Sequence, residues 1–182
     1  MIHLVCGPIG AGKTAFAQQL AEQQNAIRFS EDEWLARLFV ADAPEGLLDE
    51  PIDIVMTWAS ERYGRCRWQI WKVCEQLLKT NVSVVLDGAS ANIEQRNIIR
   101  TKAQDAGVSF KLYYVHAARE TRWSRVVERN ITKGQTYSLD VTPDMFEMTE
   151  KYFQAPVGKE LAESIVIDTS DSQPIKKTEA ST

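Results

Sequence analysis

Short apolar segments alternate along this chain with longer segments in which apolar residues recur every three or four positions. Runs rich in apolar or β-branched residues predict strands at residues 2–6, 26–29, 82–86, 110–115 and 165–167. Helical periodicity predicts helices at residues 13–24, 32–39, 52–78, 93–106, 119–130 and 143–153, and the long third helix could be broken. This alternation is typical of an α/β fold built on a parallel sheet.

The segments between these elements contain residues that commonly end or begin helices. Asn25 and Gly107 follow predicted helices, and Thr142 offers a capping hydroxyl before Pro143. The acidic, turn-rich residues 40–51 predict a surface loop beside the active site. A length of 182 residues suits one domain, which we expect at residues 1–169. Residues 170–182 have almost nothing to bury, which predicts a disordered tail.

A phosphate-binding loop follows the first predicted strand, where residues 7–14 read GPIGAGKT and match G-x-x-x-x-G-K-[ST]. Glycines at three positions let successive backbone N–H groups point inward, towards phosphate held at the start of the next helix. Lys13 would reach the β- and γ-phosphates, and the Thr14 hydroxyl would ligate Mg²⁺. We expect ATP and Mg²⁺ as cofactors, with nucleotide contacts from Gly7, Pro8, Ile9, Gly10, Ala11, Gly12, Lys13 and Thr14.

The context of the loop argues against two other interpretations. A glycine-rich turn with a chance lysine would not need a strand before it and a helix after it. A dinucleotide site requires the spacing G-x-G-x-x-G, whereas the glycines here are spaced G-x-x-G-x-G.

An acidic cluster follows the second predicted strand, at the edge of the sheet where open α/β folds bind ligands. Asp32 could orient the attacking hydroxyl and accept its proton, as the catalytic aspartate of a kinase does. Equally, Ser30 could cap the next helix and Asp32 could be a favourable first-turn charge. The spacing alone leaves both open. Glu31 and Glu33 are expected to be solvated.

A second carboxylate, Asp87, ends the buried third strand at the same edge. We favour a role on the magnesium side, by direct contact or through a neighbour, because a phosphate loop implies a metal ion. The alternative is an aspartate that starts an Asp-Gly turn.

Five cations follow the fourth predicted strand within fifteen residues: Arg119, Arg122, Arg125, Arg129 and Lys133. Such a cluster could close over the transferring phosphate, or it could be a solvated helix face paired with Glu120 and Glu128. We favour the phosphate role for Arg125 and Arg129, and the solvated role for Arg119 and Arg122. The polar residues 130–135 suit a lid.

Charge and composition narrow the class of partner. The net charge of −4 and pI near 5.3 argue against broad nucleic-acid or anionic-membrane binding. Cations and tryptophans interleave at residues 65–71, but their helical phase favours core packing over base stacking. The cysteines Cys6, Cys66 and Cys74 form no C-x-x-C pair and leave an odd thiol, which predicts buried thiols and a cytoplasmic location.

With these residues in place, the chain resembles the P-loop kinase-like ATP-binding proteins related to polynucleotide kinase, chloramphenicol phosphotransferase and zeta toxin. The resemblance runs from Met1 to about Pro156, through GPIGAGKT, FSEDEWLARLF, VVLDGASANIEQR, RVVERN and VTPDMFEMTEKYFQAP. It implies a three-layer P-loop NTPase fold, with five parallel strands in the order 2-3-1-4-5 and a lid after the fourth strand. It also favours Asp32 as the general base and places Asp87 at the family's strand-end carboxylate.

Two departures from the polynucleotide kinases bear on the acceptor. Those kinases have an arginine three residues after the base, where this chain has Leu35, and a catalytic arginine after an R-N pair, where it has Lys133. A lysine lacks the bidentate recognition of phosphate that arginine offers. Both departures weaken the case for a polynucleotide substrate, and we therefore expect an ATP-dependent kinase that phosphorylates a hydroxyl on a small molecule. A 5′-hydroxyl nucleic-acid kinase remains an alternative, and so does an ATP-sensing module, which would not need Asp32.

Overall fold

The computed structural model describes residues 1–88, 90–134, 137 and 140–170, which contain five strands and seven α-helices. The strands are β1 (Ile2–Cys6), β2 (Ile27–Ser30), β3 (Val84–Asp87), β4 (Phe110–His116) and β5 (Ile165–Asp168). The helices are α1 (Lys13–Gln23), α2 (Glu31–Leu38), α3 (Ile52–Lys79), α4 (Ile93–Asp105), α5 (Arg119–Thr132), α6 (Pro143–Tyr152) and α7 (Gly158–Ala162).

The five strands form one parallel sheet in the order β2-β3-β1-β4-β5, which confirms the predicted α/β topology. Every residue of the central strand β1 is buried, as expected for a strand covered on both faces. One face packs on α3 and α4 through a core that includes Ile70, Cys74 and Ala103. The other face packs on α1 through Ala17 and Leu20. The result is the predicted three-layer arrangement.

The boundaries of the helices follow the sequence signals closely. Asn25 and Gly107 have φ values of 46° and 64° just after α1 and α4, and the Thr142 hydroxyl accepts a bond of 3.2 Å from the backbone N–H of Met145. The third helix is continuous over 28 residues. Short 3₁₀ turns at Val40–Asp42 and Leu47–Asp49 interrupt the predicted loop.

The short helix α7 was not predicted, because its stability depends on a distant residue. Arg96 in α4 is 1% exposed and donates two bonds, of 2.9 and 2.7 Å, to the carboxylate of Glu160 in α7. It also donates to the carbonyl oxygens of Ser90 and Gln154, at 3.1 and 2.8 Å. Arg96 therefore joins α4 and α7 to Ser90, three residues after Asp87.

The predicted burial of the cysteines is confirmed, and that of the tryptophans is confirmed in part. All three cysteines are free and buried, as expected. Trp71 packs against the core as predicted, whereas Trp68 is 63% exposed. None of the described helices is long and apolar enough to cross a membrane. The predicted tail beyond residue 170 and residue Gln135 of the predicted lid lie outside the described residues.

Candidate active site

The phosphate loop connects β1 to α1 and is shaped by two close approaches of its backbone. A Cβ atom on Gly7 would lie 2.0 Å from the carbonyl oxygen of Val115 in β4. A Cβ atom on Gly10, whose φ is 75°, would lie 2.5 Å from the carbonyl oxygen of Arg122 in α5. Real side chains do not tolerate such distances, so both glycines are required for the loop to fit between β4 and α5.

Arg122 is the side chain that fastens this loop to its surroundings. Its guanidinium donates to the carbonyl oxygens of Ile9 and Ala117, at 3.2 and 3.1 Å. It also donates two bonds, of 2.5 and 2.6 Å, to the carboxylate of Glu150 in α6. The expectation that Arg122 lies on a solvated helix face was wrong, because helical spacing identifies a face but not what packs on it.

Arg119, one turn earlier, behaves as expected of a surface residue, although its partner differs. Its side chain is half exposed and pairs with Glu147 of α6. The predicted partners, Glu120 and Glu128, lie on the same helix, whereas both arginines pair across to α6.

The structure brings Lys13, Asp32 and Asp87 together at the carboxyl edge of the sheet. Burial lowers the pKa of Lys13, and the negative charges of Asp32 and Asp87 oppose this shift. Burial also raises the pKa of Asp87, and the positive charges of Lys13 and Arg28 oppose that shift. Lys13 Nζ donates a bond of 3.0 Å to the carbonyl oxygen of Pro8 within the loop.

Asp87 is 4% exposed and has a partner that sequence reasoning missed. Arg28 in β2 donates a bond of 2.8 Å to Asp87 Oδ2 and also pairs with Glu33. Glu31 likewise receives two bonds from Arg67 in α3, at 3.1 and 2.9 Å. The expectation that Glu31 is solvated was wrong, because its side chain is 14% exposed and is held by Arg67. The Glu33 side chain is 32% exposed, although it is paired with Arg28.

The two interpretations of the acidic cluster turn out to be compatible. The hydroxyl of Ser30 accepts a bond of 3.3 Å from the backbone N–H of Glu33, so Ser30 is the cap of α2. Asp32 is not needed for capping, and its Oδ1 accepts a bond of 2.6 Å from the hydroxyl of Tyr63 in α3. Its charge acts on both Lys13 and Arg129 across the site.

Arg129, near the end of α5, faces the same site. Among the described residues, its Nε is the one buried side-chain nitrogen or oxygen atom that has no hydrogen-bond partner. Burial lowers the pKa of Arg129, and the charge of Asp32 opposes this shift most strongly. A buried donor without an acceptor is costly, so the arrangement favours an anionic ligand here.

The two other candidate cations have protein partners. Arg125 donates to the hydroxyl and carbonyl oxygens of Thr169, at 3.1 and 2.6 Å. The Thr169 hydroxyl donates a bond of 2.8 Å to the carbonyl oxygen of Ala11, so Arg125 is linked to the phosphate loop. Lys133 lies 3.8 Å from Asp140.

Asn130 in α5 forms two hydrogen bonds with the backbone of Val141, which precedes α6. Its side-chain amide donates a bond of 2.9 Å to the carbonyl oxygen of Val141 and accepts one of 3.2 Å from the backbone N–H of Val141. The chain leaves α5 and returns to α6 through this contact. Arg129 precedes and Lys133 follows this contact in the sequence.

Comparisons with known proteins agree with this geometry. Residues 2–156 match the family model of the AAA domain, which covers most of the chain. The chain therefore belongs to this family, and the predicted P-loop kinase-like family is confirmed. None of the curated proteins matches the sequence.

Solved structures share the fold at low sequence identity. A provisionally named kinase from Chloroflexus aurantiacus J-10-fl has 14% identity and a TM-score of 0.71, with 93% of this chain and 88% of that chain covered. Chaetomium thermophilum Kti12 in complex with ADP-AlF3 has 14% identity and a TM-score of 0.64, with 96% and 92% covered. A gluconokinase from Sinorhizobium meliloti 1021 has 15% identity and a TM-score of 0.57, with 94% and 83% covered.

Proposed function

We propose that this chain is an ATP-dependent kinase that transfers the γ-phosphoryl group to a hydroxyl of a small molecule. The observation that carries the proposal is the convergence of Lys13, Asp32 and Arg129 at the mouth of the phosphate loop. Arg129 Nε is buried without an acceptor, and the charge of Asp32, which is not used as a helix cap, acts on this arginine. A nucleotide-binding module without transfer chemistry would not need this combination.

The proposed reaction uses these groups in distinct roles. The loop amides and Lys13, released from the Pro8 carbonyl, bind the β- and γ-phosphates. The acceptor oxygen forms a bond to the γ-phosphorus while the bond from that phosphorus to the bridging oxygen of ADP breaks. Asp32 orients the acceptor hydroxyl and takes its proton. Arg129 donates to the oxygens of the transferring group, where negative charge is concentrated.

The residues present fit a magnesium ion that binds together with ATP. Thr14 would supply its hydroxyl, and Asp87 the carboxylate oxygen that Arg28 does not occupy. No three His, Cys, Asp or Glu side chains of the described residues form a metal site by themselves. Mg²⁺ commonly binds through one or two protein groups together with phosphate oxygens and water. When bound, it supplies positive charge to the phosphates.

Arg125 and Lys133 are the remaining residues that we propose to act on the phosphates, from the side of the predicted lid. The bond network from Arg125 through Thr169 to Ala11 supports a role in holding the nucleotide side of the site. Lys133 is exposed and weakly paired with Asp140, so it is available to neutralise charge on the phosphates. We also place the protein in the cytoplasm, because free buried cysteines are typical of a reducing compartment.

A small acceptor is favoured over a nucleic acid. One structural relative is by name a gluconokinase. The departures at Leu35 and Lys133 weaken the case for a polynucleotide substrate. The test is a screen of hydroxyl compounds with γ-labelled ATP, in which sugars, sugar acids, nucleosides and a 5′-hydroxyl oligonucleotide compete on equal terms. We expect a labelled small molecule with the wild type and none with Lys13→Ala. Labelling of the oligonucleotide alone would favour the nucleic-acid kinase.

A further inference from the structure

Tyr63 makes a short contact with the proposed base from a different helix. Its hydroxyl donates a bond of 2.6 Å to Asp32 Oδ1, across a sequence separation of 31 residues. Burial raises the pKa of Tyr63 well above its ordinary value, and the charge of Asp32 raises it further. The phenol therefore stays protonated at neutral pH and acts as a donor to the carboxylate.

The same face of α3 also holds Glu31, the residue before Asp32. Arg67, one turn after Tyr63, donates two bonds to Glu31, which precedes Asp32. Glu31 lies against Gly88 at the end of β3, where a Cβ atom would be 2.6 Å from Glu31 Cγ. The first turn of α2 is therefore held between α3 and the end of β3, and a shift of α2 would break both contacts.

The charges around Asp32 show why a donor is useful there. Lys13 and Arg129 both attract its carboxylate, and each acts on it through charge and not through a hydrogen bond of the described structure. The only hydrogen bond that the described residues make to the Asp32 carboxylate comes from Tyr63. Without the bond from Tyr63, the exposed carboxylate of Asp32 could rotate and pair with Lys13 or Arg129. Either cation would then be neutralised.

We propose that Tyr63 is a positioning residue for Asp32, an inference that rests on the proposed kinase function. Its hydroxyl holds Oδ1 and leaves Oδ2 for the acceptor hydroxyl. It also keeps Asp32 apart from Lys13 and Arg129, so that both cations remain available to phosphate. In a purely structural role, Tyr63 would only fasten α3 to α2.

A double-mutant cycle separates these roles without a known acceptor. Single-turnover release of phosphate from γ-labelled Mg-ATP, with water as the acceptor, is measured for the wild type, Tyr63→Phe, Asp32→Asn and the double variant. We expect Tyr63→Phe to slow release roughly ten-fold, the loss of one hydrogen bond to a charged group. In the Asp32→Asn background it should have no further effect. The control Tyr152→Phe, at an exposed tyrosine, should match the wild type.

The outcomes distinguish failure of the inference from failure of the proposed function. If Asp32→Asn releases phosphate as fast as the wild type, the kinase proposal fails. If Asp32→Asn is slow but Tyr63→Phe is not, or if Tyr63→Phe costs the same in both backgrounds, the inference about Tyr63 is wrong. Thermal melts should change little in Tyr63→Phe, whereas the affinity for Mg-ATP should fall, because Asp32 is then free to pair with Lys13.

A spectroscopic measurement tests the contact even where the release of phosphate is slow. With the five tyrosines replaced by 3-fluorotyrosine, the ¹⁹F signal missing in Tyr63→Phe belongs to Tyr63. Fluorination brings phenol ionisation into an accessible pH range. We expect the Tyr63 signal to ionise at lower pH in Asp32→Asn than in the wild type, because a negative charge beside the phenol is removed. An unchanged ionisation would overturn the inference.

Discussion

Arg122→Met tests how strongly the phosphate loop depends on the arginine that fastens it. Arg122 is 5% exposed and joins the Ile9 carbonyl to Glu150. Removing one member of a buried ion pair costs about 3–5 kcal/mol. The carboxylate of Glu150 is 21% exposed and keeps some access to water, so we expect about 3 kcal/mol.

The fold supplies a matched control on the same two helices. Arg119 pairs with Glu147 one turn away, but these side chains are 50% and 55% exposed. Exposed pairs contribute about 0–1 kcal/mol, so Arg119→Met should cost less than about 1 kcal/mol. Urea unfolding gives the stabilities, and calorimetric titration gives the affinity for Mg-ATP. We expect only Arg122→Met to weaken nucleotide binding. Equal stability losses for the two variants would refute the reasoning.

Three further expectations concern the phosphate loop, Arg129 and the buried cysteines. Lys13→Ala should abolish ATP turnover and weaken binding, whereas Thr14→Ala should act mainly by reducing the magnesium dependence; titrations with and without Mg²⁺ check both. Arg129→Ala should lower the rate of transfer more than ATP affinity, because a group that closes on the transferring phosphate acts in the transition state; equal losses in both would contradict this. Burial raises the pKa of Cys6 to about 11 and of Cys74 to about 12, so both thiols should resist a thiol reagent at pH 8 until the protein is unfolded in urea.

The sequence predicted those features whose signals are local. The five strands, six longer helices and the phosphate loop follow from periodicity, caps and glycine spacing within short windows. The strand order came from resemblance and is confirmed by the sheet. The continuity of α3 could not be decided locally, because its inner face is stabilised by the core around Ile70 and Cys74.

The contacts that shape the site could not be predicted from the sequence, because the residues that form them are far apart in the chain. Nothing near Arg122 in the sequence points to Glu150, and nothing near Asp32 points to Tyr63. The same is true of Arg28, which meets Asp87 because β2 and β3 are neighbours in register. A run of charged residues predicts a solvated surface, whereas parallel strands and packed helices bring counter-charges to these residues from other elements.

The most direct test of the kinase account is single-turnover transfer by Asp32→Asn once an acceptor is known, measured beside Mg-ATP affinity and thermal stability. Ser30 caps α2, so the asparagine variant should fold normally and bind Mg-ATP almost normally. Transfer to the acceptor should fall by roughly 10²–10⁴, part of it through lost orientation of the hydroxyl. A transfer rate equal to that of the wild type would remove Asp32 from the mechanism and favour an ATP-sensing module.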